Sequence, residues 1–237
     1  MNIINEIDTI KKIINERKSI TRFGDGEFYH LFNTNFKKGK GAGRQQCKPE
    51  IRSKLKEIIS SNNEFILIGI SGFLARDDQV SRLYNYYTVY MKKFIKKTIK
   101  NLNDKYPELI KRQFYSAEIS RLTNSNQIDQ IISLFNDFFS NNKFIFVGNK
   151  IVIKLIKKKF INKFKSIDFY EVKRIHAYDD YDTILGDCQK MNENKDKIYL
   201  LSIGITATIL SYDLAKLNYQ AIDIGHYFEL LEKIHTT

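Results

Sequence analysis

Two carboxylates, one residue apart on a glycine-flanked turn, are the residues of this sequence best suited to chemistry. Asp25 and Glu27 follow a short apolar stretch, and Gly24 and Gly26 let a ligand approach the backbone closely. Carboxylate oxygens suit Mg²⁺ or Mn²⁺, which take one or two protein carboxylates and keep their other positions for water and substrate phosphate. The turn is therefore a candidate metal site. The alternative is a surface turn with solvated acids, because turns favour these residue types.

A second group of candidate residues lies near the end of the chain. Thr206 and Thr208 follow Gly204 at the predicted start of a helix, where free backbone N–H groups and hydroxyls suit a phosphate. Ordinary capping of that helix is the alternative interpretation. His226 follows a predicted strand end, where a neutral imidazole can bind metal or hydrogen-bond phosphate, although a lone histidine is more often structural.

The elements that must position these residues alternate between strands and helices. Six near-continuous apolar strands are predicted, at residues 19–23, 65–70, 144–147, 167–172, 198–203 and 221–224. A helix is predicted to open the chain from Ile3, and the middle of the chain is less regular. This alternation predicts an α/β fold with a mostly parallel sheet that is covered by helices on both faces.

Glycine or polar residues follow the carboxyl end of each predicted strand. In open α/β sheets, ligands bind at that edge. We therefore expect Asp25, Glu27 and His226 to converge although they lie far apart in the sequence.

The composition indicates one packed domain, residues 1–237, with a strong positive charge. Of the 237 residues 43% are hydrophobic, and 39 Lys and Arg against 27 Asp and Glu give a net charge of +12. No linker divides the chain. The charge favours acidic partners such as nucleotides, nucleic acid or anionic lipid.

Sequence features also indicate a cellular compartment. No apolar run is long enough to span a bilayer, and the N-terminus lacks the pattern of a signal peptide. Cys47 and Cys188 form neither a disulfide framework nor a close metal-ligand pair, as expected in a reducing compartment. We therefore expect a cytoplasmic protein.

A lysine-rich segment, residues 150–165, carries apolar residues near helical spacing. It is interpreted either as a helix that lies on a membrane surface or as an ordinary amphipathic helix packed on the core. Peripheral association with the inner face of a membrane therefore stays open.

The chain resembles the GT-D glycosyltransferases, a bacterial family once known only as a domain of unknown function. The longest similarity covers residues 202–217 and 219–226, and residues 22–27 match near the start. Residues 119–121 and 177–185 are similar to further landmarks of the family. The resemblance is thus spread over most of the chain.

The resemblance implies a Rossmann-like single domain that uses Mn²⁺ or Mg²⁺ and a nucleoside-diphosphate sugar, typically UDP-linked. Such an enzyme would extend a bacterial glycan or glycoprotein glycan, with a glycan or glycopeptide as acceptor. The Asp-X-Glu motif of the family maps onto Asp25 and Glu27, and its Gly-His onto Gly225 and His226. After Gly-His the family continues with an acidic run that residues 227–232 do not reproduce, so the identity of the catalytic base stays open.

We therefore expect a metal-dependent hexosyltransferase that inverts the anomeric carbon. Asp25, Glu27 and His226 are the expected metal ligands, and the ion would neutralise the charge of the departing diphosphate. The expected donor-binding residues are Arg22, Gly24, Arg121, Gly204, Thr206, Thr208 and His226, with the two arginines clamping phosphate or orienting an acid. The candidate bases, ordered by proximity to the Gly-His turn, are Glu229, Asp223 and Glu232.

Two other classes of function fit part of the pattern. A metal-dependent nuclease or phosphodiesterase would use the same carboxylates and the basic charge, but one clear acidic pair is little for a two-metal site. The second class is a non-catalytic module that binds nucleotides or a membrane. The transferase interpretation predicts no nucleic-acid partner.

Overall fold

Within the residues that the structure describes, eight strands form one sheet in which every pair of neighbours is parallel. The structure is a computed structural model that describes residues 2–32, 48–71, 89–120 and 127–236. The strands are β1 (Asn2–Ile3), β2 (Ser19–Phe23), β3 (Ile66–Ile70), β4 (Gln113–Ser116), β5 (Lys143–Gly148), β6 (Ser166–Glu171), β7 (Ile198–Ser202) and β8 (Ala221–Asp223). Their order across the sheet is β1-β4-β3-β2-β8-β7-β5-β6.

Ten α-helices lie in the described ranges. They are α1 (Glu6–Asn15), α2 (Asp25–Phe32), α3 (Pro49–Ser60), α4 (Val89–Lys105), α5 (Pro107–Ile110), α6 (Ile128–Asn141), α7 (Lys150–Lys159), α8 (Tyr181–Met191), α9 (Ile205–Lys216) and α10 (Tyr227–Thr236). Short 3₁₀ turns cover Ala117–Ser120, Ile161–Lys163 and Ala177–Asp180. None of these helices combines the length and hydropathy that crossing a bilayer requires.

Two hydrophobic clusters cover the two faces of the sheet. Successive strand residues point to opposite faces, so Phe144 and Phe146 join one cluster while Ile145 and Val147 join the other. The first cluster includes buried side chains of α1, α6, α7 and α10, and the second those of α2, α3, α8 and α9. Helices on both faces of a parallel sheet confirm the predicted α/β fold.

The sheet centre is where two halves of the chain meet. Strands β1 to β4 lie on one side and β5 to β8 on the other, and β2 pairs with β8 at Ile20 and Ile222. The turns after β2, β8 and β7 are therefore neighbours at the carboxyl edge, at the point where the strand order changes direction.

The first residues correct one prediction. Helical periodicity assigned Ile3 to an opening helix, but Asn2 and Ile3 pair with Gln113 and Phe114 as an edge strand, and α1 begins at Glu6. The Asn5 side chain accepts the N–H of Asp8 and so fixes that helix start.

Candidate active site

A cleft of about 330 Å³ opens at the carboxyl edge of the sheet, across the ends of β2, β8, β7, β5 and β6. Eight of the residues expected at the site line it: Arg22, Gly24, Asp25, Glu27, Gly204, Asp223, His226 and Glu229. The parallel sheet thus brings together residues from both ends of the chain.

Glu27 sits in the first turn of α2 and faces the cleft. Its Oε2 atom accepts the backbone N–H of Gly24 at 2.8 Å, in the manner of the glutamate in a capping box. Burial raises the pKa of Glu27 from its ordinary 4.5 to about 7, and the charges of Asp223 and Asp25 contribute. A carboxylate that is costly to ionise in the bare protein is one that a bound cation would stabilise.

Asp25 precedes Glu27 in the same turn and is exposed. Within the described ranges no three His, Cys, Asp or Glu side chains are grouped closely enough to hold one ion, so His226 does not complete a three-residue set with these carboxylates. Mg²⁺ and Mn²⁺ need no such set, because one or two carboxylates with substrate phosphates and water satisfy them. The donor chemistry of Asp25 and Glu27 fits such an ion.

Asp223 ends β8 and is only 3% exposed. Its Oδ1 atom lies 3.2 Å from Nη2 of Arg22, and its Oδ2 atom accepts the Thr208 hydroxyl at 3.4 Å. Burial raises the pKa of Asp223, while the Arg22 guanidinium opposes that shift. The carboxylate is therefore held inside the wall of the cleft by a charged partner.

Arg22 connects three elements beneath the cleft. Besides Asp223 on β8, its Nη1 atom donates to the carbonyl of Ala117 at 3.0 Å and to the hydroxyl of Ser120. Nε is buried and has no hydrogen-bond partner among the described residues. The guanidinium therefore connects β2 to β8 and to the 3₁₀ turn Ala117–Ser120. These contacts position Asp223, a structural role that was not part of the predicted phosphate contact.

Gly225 makes room for that guanidinium. Its φ of +52° lies in the left-handed region, and a Cβ built there would lie 1.9 Å from Nη2 of Arg22. Only glycine satisfies both demands, which explains why this residue precedes His226.

His226 and Glu229 form a hydrogen-bonded pair at the mouth of the cleft. His226 directly precedes α10 and Glu229 lies in its first turn, where Nδ1 of His226 contacts Oε2 of Glu229. In the neutral imidazole, a carboxylate acceptor places the proton on Nδ1, so Nε2 can accept a hydrogen bond or ligate. Both side chains are exposed and line the cleft.

Four expected site residues lie elsewhere or outside the described ranges. Thr206 is buried, and its hydroxyl has no partner among the described residues. The Thr208 hydroxyl, besides its contact with Asp223, lies 3.1 Å from the carbonyl oxygen of Arg22, behind the cleft wall. Glu232 pairs with Lys159 at 3.0 Å and does not line the cleft. Arg121 lies outside the described residues.

The cleft also contains residues that were not among the expected site residues. Asn149 caps α7 by accepting the N–H groups of Ile151 and Val152, and Ile151 itself is 58% exposed. Lys173 and Arg174 follow β6, where Lys173 pairs with Asp180 at 2.7 Å. These residues follow the carboxyl ends of β5 and β6. The rule that ligands bind at that edge, which selected the other site residues, could therefore have selected these as well.

Comparisons with known proteins match this chain to one family and one fold. A family model described as the glycosyltransferase GT-D fold matches residues 20–232. A curated relative, "Probable glycosyl transferase Gly" of Streptococcus gordonii, is 23% identical in an alignment of 235 positions that covers 95% of this chain and 32% of the relative. The chain therefore spans about a third of that relative's length.

Two solved structures have the same fold. One, described as a new glycosyltransferase (DUF1792) from Streptococcus sanguinis, superposes with a TM-score of 0.78 at 19% identity, covering 100% of this chain and 85% of the other. The second, described as the highly conserved domain of unknown function 1792 with a distinct glycosyltransferase fold, has a TM-score of 0.79 at 20% identity and covers 100% and 82%.

Proposed function

The chain belongs to the GT-D fold family of glycosyltransferases, and we propose that it moves a hexose or related sugar from a UDP-linked donor to a glycan or glycopeptide acceptor in bacteria. One observation carries the proposal: the Asp25–Glu27 carboxylates and the His226–Glu229 pair line a single cleft. That arrangement offers a cation site and a proton acceptor within one substrate-sized space. Family membership favours transfer over the nuclease and the non-catalytic module.

The proposed cofactor is Mn²⁺ or Mg²⁺, held by Glu27 and Asp25. When bound, the ion would neutralise charge on the departing diphosphate. Glu27 must give up its proton to serve as a ligand, and its pKa of about 7 makes this ionisation easy to reverse near neutral pH.

The proposed reaction inverts the anomeric carbon, which requires a base for the acceptor hydroxyl. Glu229 is the best supported of the three candidates because it lines the cleft and hydrogen-bonds His226. Asp223 is engaged by Arg22, and Glu232 by Lys159. The proposed place of action is the cytoplasm, including the inner face of the membrane.

The function is tested by following UDP release from a panel of UDP-sugars in the presence of Mn²⁺ or EDTA. Wild type should release UDP with at least one donor only when metal is present, and Glu27→Gln should lose most of this activity. Glu232→Gln is the matched control, since its carboxylate lies outside the cleft. Release that is equal in EDTA would overturn the metal-dependent mechanism.

A further inference from the structure

The outward side of α7 carries a row of lysines with an exposed isoleucine near each end. Lys150, Lys154 and Lys158 are spaced four residues apart, so they lie on one side of the helix, and all three are exposed. Ile151 is adjacent to this row on the helix and is 58% exposed, and Ile161, just beyond the helix, is 44% exposed. These five residues are called the α7 surface.

The apolar side of α7 is already occupied by the core. Val152, Ile153 and Ile156 are buried in the cluster that packs against β5 and β6. The structure therefore removes one form of the membrane hypothesis, in which the apolar stripe of the helix itself lies on lipid. The side of α7 that a partner could contact is therefore the side that carries the lysines.

The charge of the α7 surface is not balanced within the described part of the chain. Residues 150–165 contain seven lysines and no acidic residue. Lys159 is paired with Glu232 of α10, whereas Lys150, Lys154 and Lys158 have no ion-pair partner among the described residues. Like charges four residues apart on a helix repel each other, and an anionic surface would relieve that repulsion.

We propose that the α7 surface docks on an anionic lipid bilayer, with headgroup phosphates against its lysines and the two isoleucines entering the interface. Clustered lysines gain favourable energy near anionic headgroups, and small apolar contacts add to it. The exposed isoleucines favour lipid over nucleic acid, because single-stranded nucleic acid is usually held by aromatic stacking next to basic residues.

Docking would also orient the cleft. Ile151 belongs both to the α7 surface and to the cleft lining, so the mouth of the cleft would lie beside the membrane plane. An acceptor glycan carried on a lipid would then reach the site without leaving the bilayer. This last step rests on the proposed function, whereas the docking itself does not.

The test is vesicle co-sedimentation of the full chain without donor or acceptor. Wild type should bind vesicles that contain phosphatidylglycerol, should bind pure phosphatidylcholine poorly, and should detach at high salt. The variant with Lys150→Glu, Lys154→Glu and Lys158→Glu should bind the anionic vesicles at least about tenfold more weakly.

A matched control lies on the other face of the sheet. Lys96, Lys97 and Lys100 are exposed on α4, whose Leu102 packs in the opposite hydrophobic cluster. Their replacement by glutamate changes the net charge equally and should lower vesicle binding by no more than about twofold. Equal losses of vesicle binding in the two triple variants would show that net charge alone attracts the protein. That result would overturn the proposal that the α7 surface is the docking site.

A third variant keeps the charge constant. Ile161→Ser should weaken vesicle binding about threefold, because it removes an apolar contact with the interface. This variant also tests the proposal if charge reversal unfolds α7. In that case, vesicle affinity of Ile161→Ser equal to that of wild type would refute docking. Binding of duplex DNA that depends on the same lysines, without vesicle binding, would identify a nucleic-acid surface instead.

Discussion

At the scale of a single residue, the carboxylate of Glu27 has a structural contact and is also the proposed metal ligand. It accepts the N–H of Gly24 at the start of α2 and also faces the cleft. Its raised pKa follows from burial and from the neighbouring carboxylates, which are the surroundings a cation would neutralise.

Replacing Glu27 by alanine should make UDP binding insensitive to metal. Glu27 would hold the proposed ion, which would neutralise charge on the diphosphate, so affinity for UDP with Mn²⁺ should fall at least about tenfold. Calorimetric titration of UDP with Mn²⁺ or EDTA measures the effect, with Glu232→Ala as the control. Unchanged affinity in Glu27→Ala would remove this residue from the metal site.

Glu229→Gln should separate binding from turnover. Glutamine keeps the shape of the side chain but cannot take a proton, so turnover should fall about 10²-fold or more while affinity for the donor stays near wild type. Rates and donor affinities of Asp223→Asn and Glu232→Gln, measured in parallel, are the comparison. Near-normal rates in all three variants would exclude a carboxylate base in this segment.

At the scale of elements, the turn between β8 and α10 is shaped by its contact with Arg22. Arg22 on β2 reaches Asp223 on β8 and the 3₁₀ turn Ala117–Ser120, and Gly225 leaves space for the guanidinium. The site is thus held by side chains that join neighbouring strand ends.

Gly225→Ala should destabilise the fold. A Cβ would clash with Nη2 of Arg22, and the turn would hold alanine in a left-handed backbone conformation that it rarely adopts. The free energy of unfolding should therefore fall by about 1–3 kcal/mol. Gly186→Ala is the control, because nothing lies within 4 Å of its Cβ inside α8 and alanine there favours the helix. Urea denaturation should therefore give opposite signs for the two variants, and equal stabilities would contradict the packing argument.

At the scale of the whole molecule, the proton on Glu27 couples folding to pH. Because the pKa is raised from 4.5 in the unfolded chain to about 7 in the fold, the folded state keeps a proton that the unfolded state releases. This contribution to stability is complete below about pH 4.5 and is lost as the pH rises through about 7.

Without metal, Glu27→Gln should therefore be more stable than wild type at pH 8 and nearly equal to it at pH 4.5. We expect a gain in the free energy of unfolding of about 1–3 kcal/mol at pH 8, measured by urea denaturation in EDTA. Added Mn²⁺ should stabilise wild type more at pH 8 than at pH 5, because metal and proton compete for the carboxylate. A difference between the two proteins that is independent of pH would contradict the raised pKa.

Local sequence was sufficient for the α/β alternation and for the turns that could carry chemistry. Periodicity and strand ends located β2, β3, β5, β6, β7 and β8 and pointed to Asp25, Glu27 and His226, because these signals arise between residues close in the chain. The strands β1 and β4 were missed because two to four residues are too few to show a period.

Only the tertiary structure decided which strand ends are neighbours. The pairing of β2 with β8 joins Arg22 to Asp223 across most of the chain, and the same packing turns Thr208 and Glu232 away from the cleft while bringing Ile151 and Arg174 into it. Strand order depends on how all the helices and strands bury their apolar faces together, and no single segment of sequence encodes its partner in a parallel sheet.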